Sequence, residues 1–177
     1  RFAFVVYTVN QLLQKQGEDM GFQDVKRYFE SVGLGERVLE LDQSSATVEE
    51  AARAIGCQPR LIAKTLSFFV QDRPVLVVAA GDAKVDNRKF KDTFHEKARM
   101  IPPDQVEQAV GHAPGGVCPF VVRPEVTVYL DVSLKRFETV YPAAGSGSSA
   151  VALSVEELEA HAHSAGWVDV CKDWQES

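Results

Sequence analysis

No apolar run in this 177-residue sequence reaches the length that crosses a bilayer. The longest candidate, Phe2-Ala3-Phe4-Val5-Val6-Tyr7-Thr8-Val9, is less than half of it. Polar residues Gln11 to Asp19 follow, with no small-residue cleavage site, so no secretory signal is expected. Cysteine is scarce. Cys57, Cys118 and Cys171 are odd in number and lack metal or redox spacing, the pattern of reduced thiols in a cytoplasmic protein. The four histidines, His95, His112, His161 and His163, form no metal-ligand pattern, and His161 and His163 are expected to point apart on a helix surface. There is no P-loop, no dinucleotide fingerprint and no G-x-S-x-G elbow. Excess positive charge is missing too: 19 Lys and Arg stand against 25 Asp and Glu, for a net charge of -6. That excludes broad electrostatic wrapping of DNA or RNA and leaves room only for a local basic patch. The patch with the densest cations is Lys84, Arg88, Lys89, Lys91, Lys97 and Arg99. It is interleaved with Asp82, Asp86, Asp92 and Glu96, as a solvated face would be.

What is present is one globular domain's worth of chain, 45% hydrophobic, with no repeat, linker or low-complexity tract. Residues 20–177 read as a single domain. Residues 1–19 read as an extension, either of non-native origin or as an extra element docked on the domain. Phe22, Val25, Tyr28, Phe29 and Val32 recur at helical spacing before Gly33, a core-facing stripe. Arg37 to Leu41 predicts a short strand. Thr47-Val48-Glu49-Glu50 and Ser154-Val155-Glu156-Glu157 predict capping boxes, the second opening a helix to about His163. Residues 64–70 and 75–80 predict strands, the second central and buried. Asp86 or Asn87 caps a helix carrying Phe90 and Phe94, and Pro103 opens another through Val110. Strands are also predicted at 98–101, 120–123, 126–130, 134–141, 150–153 and 167–171. Strands in the middle and helices at both ends predict α+β, with a mixed, curved, partly barrel-like sheet.

Two features carry chemistry. Strand alternation puts Lys64 on the same face as Leu66, Phe68 and Val70. A lysine there either snorkels to water from the strand's start or meets a carboxylate, carbonyl or anionic ligand. The second feature is Gly111-His112-Ala113-Pro114-Gly115-Gly116-Val117-Cys118-Pro119, with three glycines and two prolines in nine residues. Such a loop is bent and stiff, and the N–H groups of Gly115, Gly116 and Val117 can face a carbonyl or an oxyanion. The competing reading is a connecting loop. Cys118 beside His112 admits a thiol nucleophile, or simply a small half-buried side chain. Residues 142–149 form a small, flexible segment suited to a turn near a ligand.

In order and spacing, Thr47-Val48-Glu49-Glu50-Ala51-Ala52, Ile62-Ala63-Lys64-Thr65-Leu66, Leu76-Val77-Val78-Ala79-Ala80-Gly81, Val85-Asp86, Gly115-Gly116-Val117-Cys118-Pro119, Val128-Tyr129-Leu130-Asp131 and Ala143-Ala144-Gly145 resemble the YbaK-type family. This is the aminoacyl-tRNA deacylase family that includes the editing domain of bacterial prolyl-tRNA synthetases. The resemblance spans roughly residues 22–160. It implies a trans-editing hydrolase that deacylates mischarged aminoacyl-tRNA, with tRNA-Pro carrying Ala or Cys as the expected substrate. It implies no cofactor and no metal. The alternative is an inactive module that binds aminoacyl-adenosine or the tRNA acceptor end. Lys64 is the implied catalytic residue, and His112, Gly115, Gly116, Val117, Cys118, Pro119, Gly145 and Ser146 are the implied substrate contacts. The implied partners are the acceptor end of aminoacyl-tRNA and a prolyl-tRNA synthetase, with no membrane and no DNA.

Overall fold

The computed structural model describes residues 21–175, so the readings made for residues 1–19 lie outside the described residues. Helix α1 covers 21–31 and is followed by β1 (Val38–Glu40), α2 (Val48–Ile55), β2 (Ile62–Val70), β3 (Arg73–Ala80), β4 (Lys84–Val85), α3 (Asn87–Phe94) and α4 (Pro103–Val110). Then come β5 (Thr127–Asp131), β6 (Thr139–Pro142), β7 (Ser149–Val151), β8 (Leu153–Ser154), α5 (Val155–His161), β9 (Gly166–Val168) and β10 (Cys171–Lys172).

Six strands in the order β8-β6-β2-β3-β5-β9 form a mixed sheet that curls into a half-barrel; β1-β7 and β10-β4 are small two-stranded sheets. The fold is α+β, as the sequence predicts. Its axis is the β2–β3 hairpin, antiparallel from Ala63↔Ala80 to Val70↔Arg73. Gln71 and Asp72 make the two-residue turn with φ of 51° and 60°. Such a turn matches the twist of paired strands, although the usual Asn-Gly signal is missing. From Val75 to Ala80 every residue of β3 is buried, because β2 and β5 pair on its two edges and its side chains join the main core cluster. Phe68, Phe90, Phe94 and Tyr129 form a chain of ring contacts through this core, with centroids 4.7 to 5.4 Å apart.

Several local expectations are corrected. Val32 is exposed and falls off the α1 stripe, whereas Phe22, Val25 and Phe29 are buried. In the first capping motif, Glu50 N–H donates to Thr47 Oγ1, but the Glu50 carboxylate accepts from Ser44 Oγ at 2.6 Å instead of reaching back. Residues 98–101 contribute a single bridge, Met100 to Phe68. Pro102 and Pro103 follow and have no N–H to extend it. Residues 120–123 are not a strand: Val121 sits at φ 51°, and Arg123 N–H donates to Val110 O at the end of α4. Leu134 lies in a 3-10 turn, Val132–Arg136, because the Asp131 carboxylate caps Ser133 N–H. Asp131 also accepts Val170 N–H, which separates β9 from β10. His161 is half-buried, with Nδ1 at 2.9 Å from the Tyr28 hydroxyl, rather than free on the surface.

The second capping box is complete. Glu157 N–H donates to Ser154 Oγ at 3.0 Å, and Ser154 N–H donates to Glu157 Oε1 at 2.9 Å. Ser154→Ala is expected to lower stability by about 1 kcal/mol in urea unfolding. The Ser154 N–H holds the Glu157 carboxyl below its ordinary range. Its contribution is therefore present above the ordinary glutamate pKa and is lost as pH falls through the lowered value.

Candidate active site

Lys64 stands three residues into β2, paired with Ala79 of β3. Its face carries Leu66, Phe68 and Val70, of which Phe68 is fully in the core. The ammonium does not extend into open water. Nζ donates to the carbonyls of Gly81 and Ala83, in the turn that leaves β3. An ammonium has three donors, so these two neutral acceptors leave one N–H. Burial pushes the Lys64 pKa down, with Asp82 and Glu49 among the charges that oppose the shift.

Lys64 lines a cavity of about 190 Å³. One wall is the approach to α2, Ser45 to Val48, with Ala51 from the helix; the start of β2, Ile62 to Thr65, forms another. Gly115 and Val117 come from the glycine-rich loop, Tyr141 and Ala143 from the end of β6, and Ser149 and Ala150 from β7. Among the described residues, no carboxylate, imidazole or thiol lines it. The Thr65 hydroxyl is buried without a hydrogen-bond partner among the described residues. Ser45 and Ser149 clasp each other across two loops: Ser149 N–H donates to Ser45 Oγ at 3.1 Å, and Ser45 Oγ donates to Ser149 O at 3.3 Å.

The structure thus brings Lys64, Gly115 and Val117 to one cavity and puts the other sequence candidates behind it. Gly116 packs on the 145–149 turn, where a Cβ would lie 2.7 Å from Ser146 Cα. Its N–H is not bare: it donates to Ala113 O at 3.1 Å and closes the turn. Gly145, at φ 92°, packs on the start of α1, with Gly21 O 2.6 Å from where its Cβ would be. Ser146 Oγ bonds Ser149 Oγ at 2.8 Å and braces a cavity residue from outside. Pro119 faces a separate hollow with Tyr28 and Val121. His112 is buried, and its Nε2 lies 2.7 Å from Phe120 O. A carbonyl only accepts, so that contact assigns the proton to Nε2; burial lowers the ring's pKa and keeps it neutral.

Cys118 Sγ lies 3.4 Å from the same His112 nitrogen. Cys118 is fully buried, not half-buried, and burial pushes its thiol up to about 12. A thiol held protonated is neither a nucleophile nor readily alkylated. Iodoacetamide at pH 8 is expected to label half-buried Cys57 first and to leave Cys118 unmodified until the chain unfolds, read by peptide mass spectrometry. Early labelling of Cys118 would contradict the packing.

Sequence reasoning did not single out Ser45, Thr65, Tyr141 or Ser149 as cavity residues. They come from four separate segments, and no local spacing links them. Of the cation-rich group at 84–99, Lys89 pairs with Asp169 and Arg99 with Asp72, both at 3.0 Å.

The half-barrel, with a lysine and a glycine-rich loop on one small cavity, is the architecture of a class of aminoacyl-tRNA editing domains. The family described as "Aminoacyl-tRNA editing domain" matches residues 42–160, and the chain belongs to it. The chain is 50% identical over 157 residues to the uncharacterized protein YwhH of Bacillus subtilis, covering 88% of this chain and all of that protein. It is 30% identical over 102 residues to the proline--tRNA ligase of Bacillus subtilis, covering 57% of this chain but 18% of the ligase. Among solved structures it is similar to a protein described as a proposed trans-editing enzyme for prolyl tRNA synthetase. That match has a TM-score of 0.76 and 27% identity, over 86% of this chain and 97% of the other. It is also similar to the hypothetical protein APE2540, with a TM-score of 0.74 and 26% identity, over 84% of this chain and 99% of that one. Among the described residues no helix is long and apolar enough to cross a membrane, and no three His, Cys, Asp or Glu side chains group as a metal site.

Proposed function

We propose that this chain hydrolyses the ester linking a small, wrongly attached amino acid to the terminal adenosine of tRNA-Pro. The observation that carries the reading is that Lys64, Gly115 and Val117 share one small cavity. A cavity of roughly 150 Å³ holds a benzene-sized ligand. The present 190 Å³ therefore has room for a side chain such as that of Ala or Cys together with the ester group.

The ester carbonyl oxygen sits against the N–H groups of Gly115 and Val117, and the remaining N–H of Lys64 holds the adenosine phosphate or the aminoacyl group. Water adds to the carbonyl carbon, and the oxyanion is stabilised by those donors. The carbon–oxygen bond to the ribose then breaks, and the leaving oxygen takes a proton delivered from the attacking water. With Cys as the charged residue, its own thiol can replace water as the attacking group. No step uses a metal or a cofactor. His112, Gly116, Cys118, Pro119, Gly145 and Ser146 support the walls from behind. A prolyl-tRNA synthetase is the partner that would present the substrate.

Among the described residues the cavity lining carries no carboxylate, imidazole or thiol, which favours a second reading: a module that binds the aminoacylated end without turnover. A deacylation screen over tRNA-Pro charged with Ala, Cys, Ser and Pro separates the two. Release from the Ala or Cys form, with Pro-tRNA-Pro spared, is the expected result. Binding of all forms with no release would establish the second reading.

A further inference from the structure

We propose that a cation–aromatic face built from Arg60, Arg136, Phe137 and Trp174 is the seat for the unpaired 3′ nucleotides of the tRNA. This rests on the deacylase reading only for the identity of the RNA. The observations are independent of the cavity. Arg136 stacks on two rings at once, with its guanidinium carbon 4.5 Å from the Phe137 centroid and 5.0 Å from that of Trp174. Arg60 lies 5.9 Å from the other end of this group, the Phe137 ring. The neighbouring Lys135 sits 4.6 Å over Trp167. Phe137 and Trp174 are half-buried and, with Arg60 and Arg136, border a hollow of about 650 Å³.

In a chain with a net charge of -6, such a concentration of cations on rings is local and specific. Asp82 neutralises Arg136 through contacts of 2.6 and 2.9 Å. The Arg60 Nε donates to the neutral Gln58 side chain. Arg60 thus supplies positive charge for phosphates, while the rings and the Arg136 plane supply stacking surfaces. Unpaired nucleotides need this combination, and it tolerates any base sequence.

The face is also tied to the cavity by covalent neighbours. Asp82, which grips Arg136, lies between Gly81 and Ala83, whose carbonyls hold Lys64. Arg60 lies four residues before Lys64, and its neighbour Pro59 packs against Gly81. A strand of RNA crossing Trp174 and Arg60 thus rests on the same 81–83 turn that anchors Lys64. Trp174 lies outside the family match at 42–160.

The test uses a single-stranded RNA tetranucleotide, 5′-ACCA, and deacylated tRNA-Pro, so that no turnover is required. The expected result is quenching of tryptophan fluorescence by the tetranucleotide, with Trp174→Ala and Arg60→Ala each weakening binding about tenfold. Arg60→Ala should also flatten the salt dependence by about 0.7 in log K against log salt, the signature of one lost single-strand phosphate contact. Trp174→Phe should recover most of the affinity, and circular dichroism should report intact folds. Equal binding by the variants, no binding of either RNA by the parent protein, or an effect seen only with a synthetase present would each overturn the proposal. If no charged tRNA is hydrolysed but the RNA binding follows this pattern, the deacylase reading falls and this one stands.

Discussion

Lys64→Ala is expected to slow release of amino acid from mischarged tRNA-Pro by roughly 100- to 1,000-fold, the usual cost of removing one donor from an oxyanion-type site. The protein should remain folded. The substitution removes a partly buried ammonium along with its two carbonyl contacts, so the loss of hydrogen bonds is offset by relief of desolvation. The measurement is single-turnover deacylation set beside a thermal melt, and full activity in the variant would remove the mechanism. The pH dependence gives a second handle. Burial lowers the Lys64 pKa from its ordinary 10.5, so the folded protein gives up this proton before the unfolded chain does. Between the lowered value and 10.5 the unfolded state binds more protons, and this residue's contribution to stability rises with pH. Activity that needs the cation falls across the same window, once background hydrolysis by hydroxide is subtracted. These opposite slopes identify the residue. A rate that holds up to the ordinary lysine range would contradict a desolvated ammonium.

Gly81→Ala is expected to be the most damaging glycine-to-alanine change among the described residues. A Cβ at this position would lie 2.0 Å from the Pro59 carbonyl oxygen and 2.8 Å from Val48 Cγ1. The first of these atoms is backbone and cannot swing aside. Overpacking typically costs 1–3 kcal/mol, and a contact this close to backbone belongs at or beyond the top of that range, at about 3 kcal/mol. For a chain of this size that is a fall of roughly 6–12 °C in Tm. Because the Gly81 carbonyl is an anchor of Lys64, any relaxation also moves the ammonium, and deacylation should fall even at temperatures where the variant is folded. Gly33→Ala is the control. It shares a positive φ with other turn glycines but meets nothing within 4 Å, so it should cost only the backbone strain of that conformation. Equal melting temperatures for Gly81→Ala and the parent protein would show that the Pro59–Leu61 turn yields.

Much of the fold was legible in the chain because its signals are local. The Thr47 and Ser154 caps, the Asp86 cap and the glycine stop at Gly56 each depend on atoms within four residues. The central strand at 75–80 announced itself by an unbroken apolar run. Two of the strand expectations failed because a side chain took the hydrogen bond that a strand would have used, whereas the strand expected at 98–101 stopped at Pro102 and Pro103. His112 captures Phe120 O, and Asp131 captures both Ser133 N–H and Val170 N–H. A run of β-branched residues gives no hint that a side chain, near in the chain as for Ser133 or far as for Val170, will take its backbone hydrogen bond. The site was partly readable for the same reason. The alternation in β2 pointed Lys64 inward, but only the tertiary contacts supplied its partners.

Sequence alone determined the α+β class, a lysine on an apolar strand face and a glycine-rich loop, since periodicity and backbone chemistry are written residue by residue. It also carried the family resemblance, which lives in order and spacing. The tertiary structure decided which loop residues meet Lys64: Gly115 and Val117 reach the cavity, while Gly116 turns away to pack on Ser146. It decided as well that Ser45, Thr65, Tyr141 and Ser149 would join them, and that Trp174 would come to lie beside Arg136. Those meetings depend on how a curled sheet folds distant segments together, and no spacing along a linear chain encodes that distance.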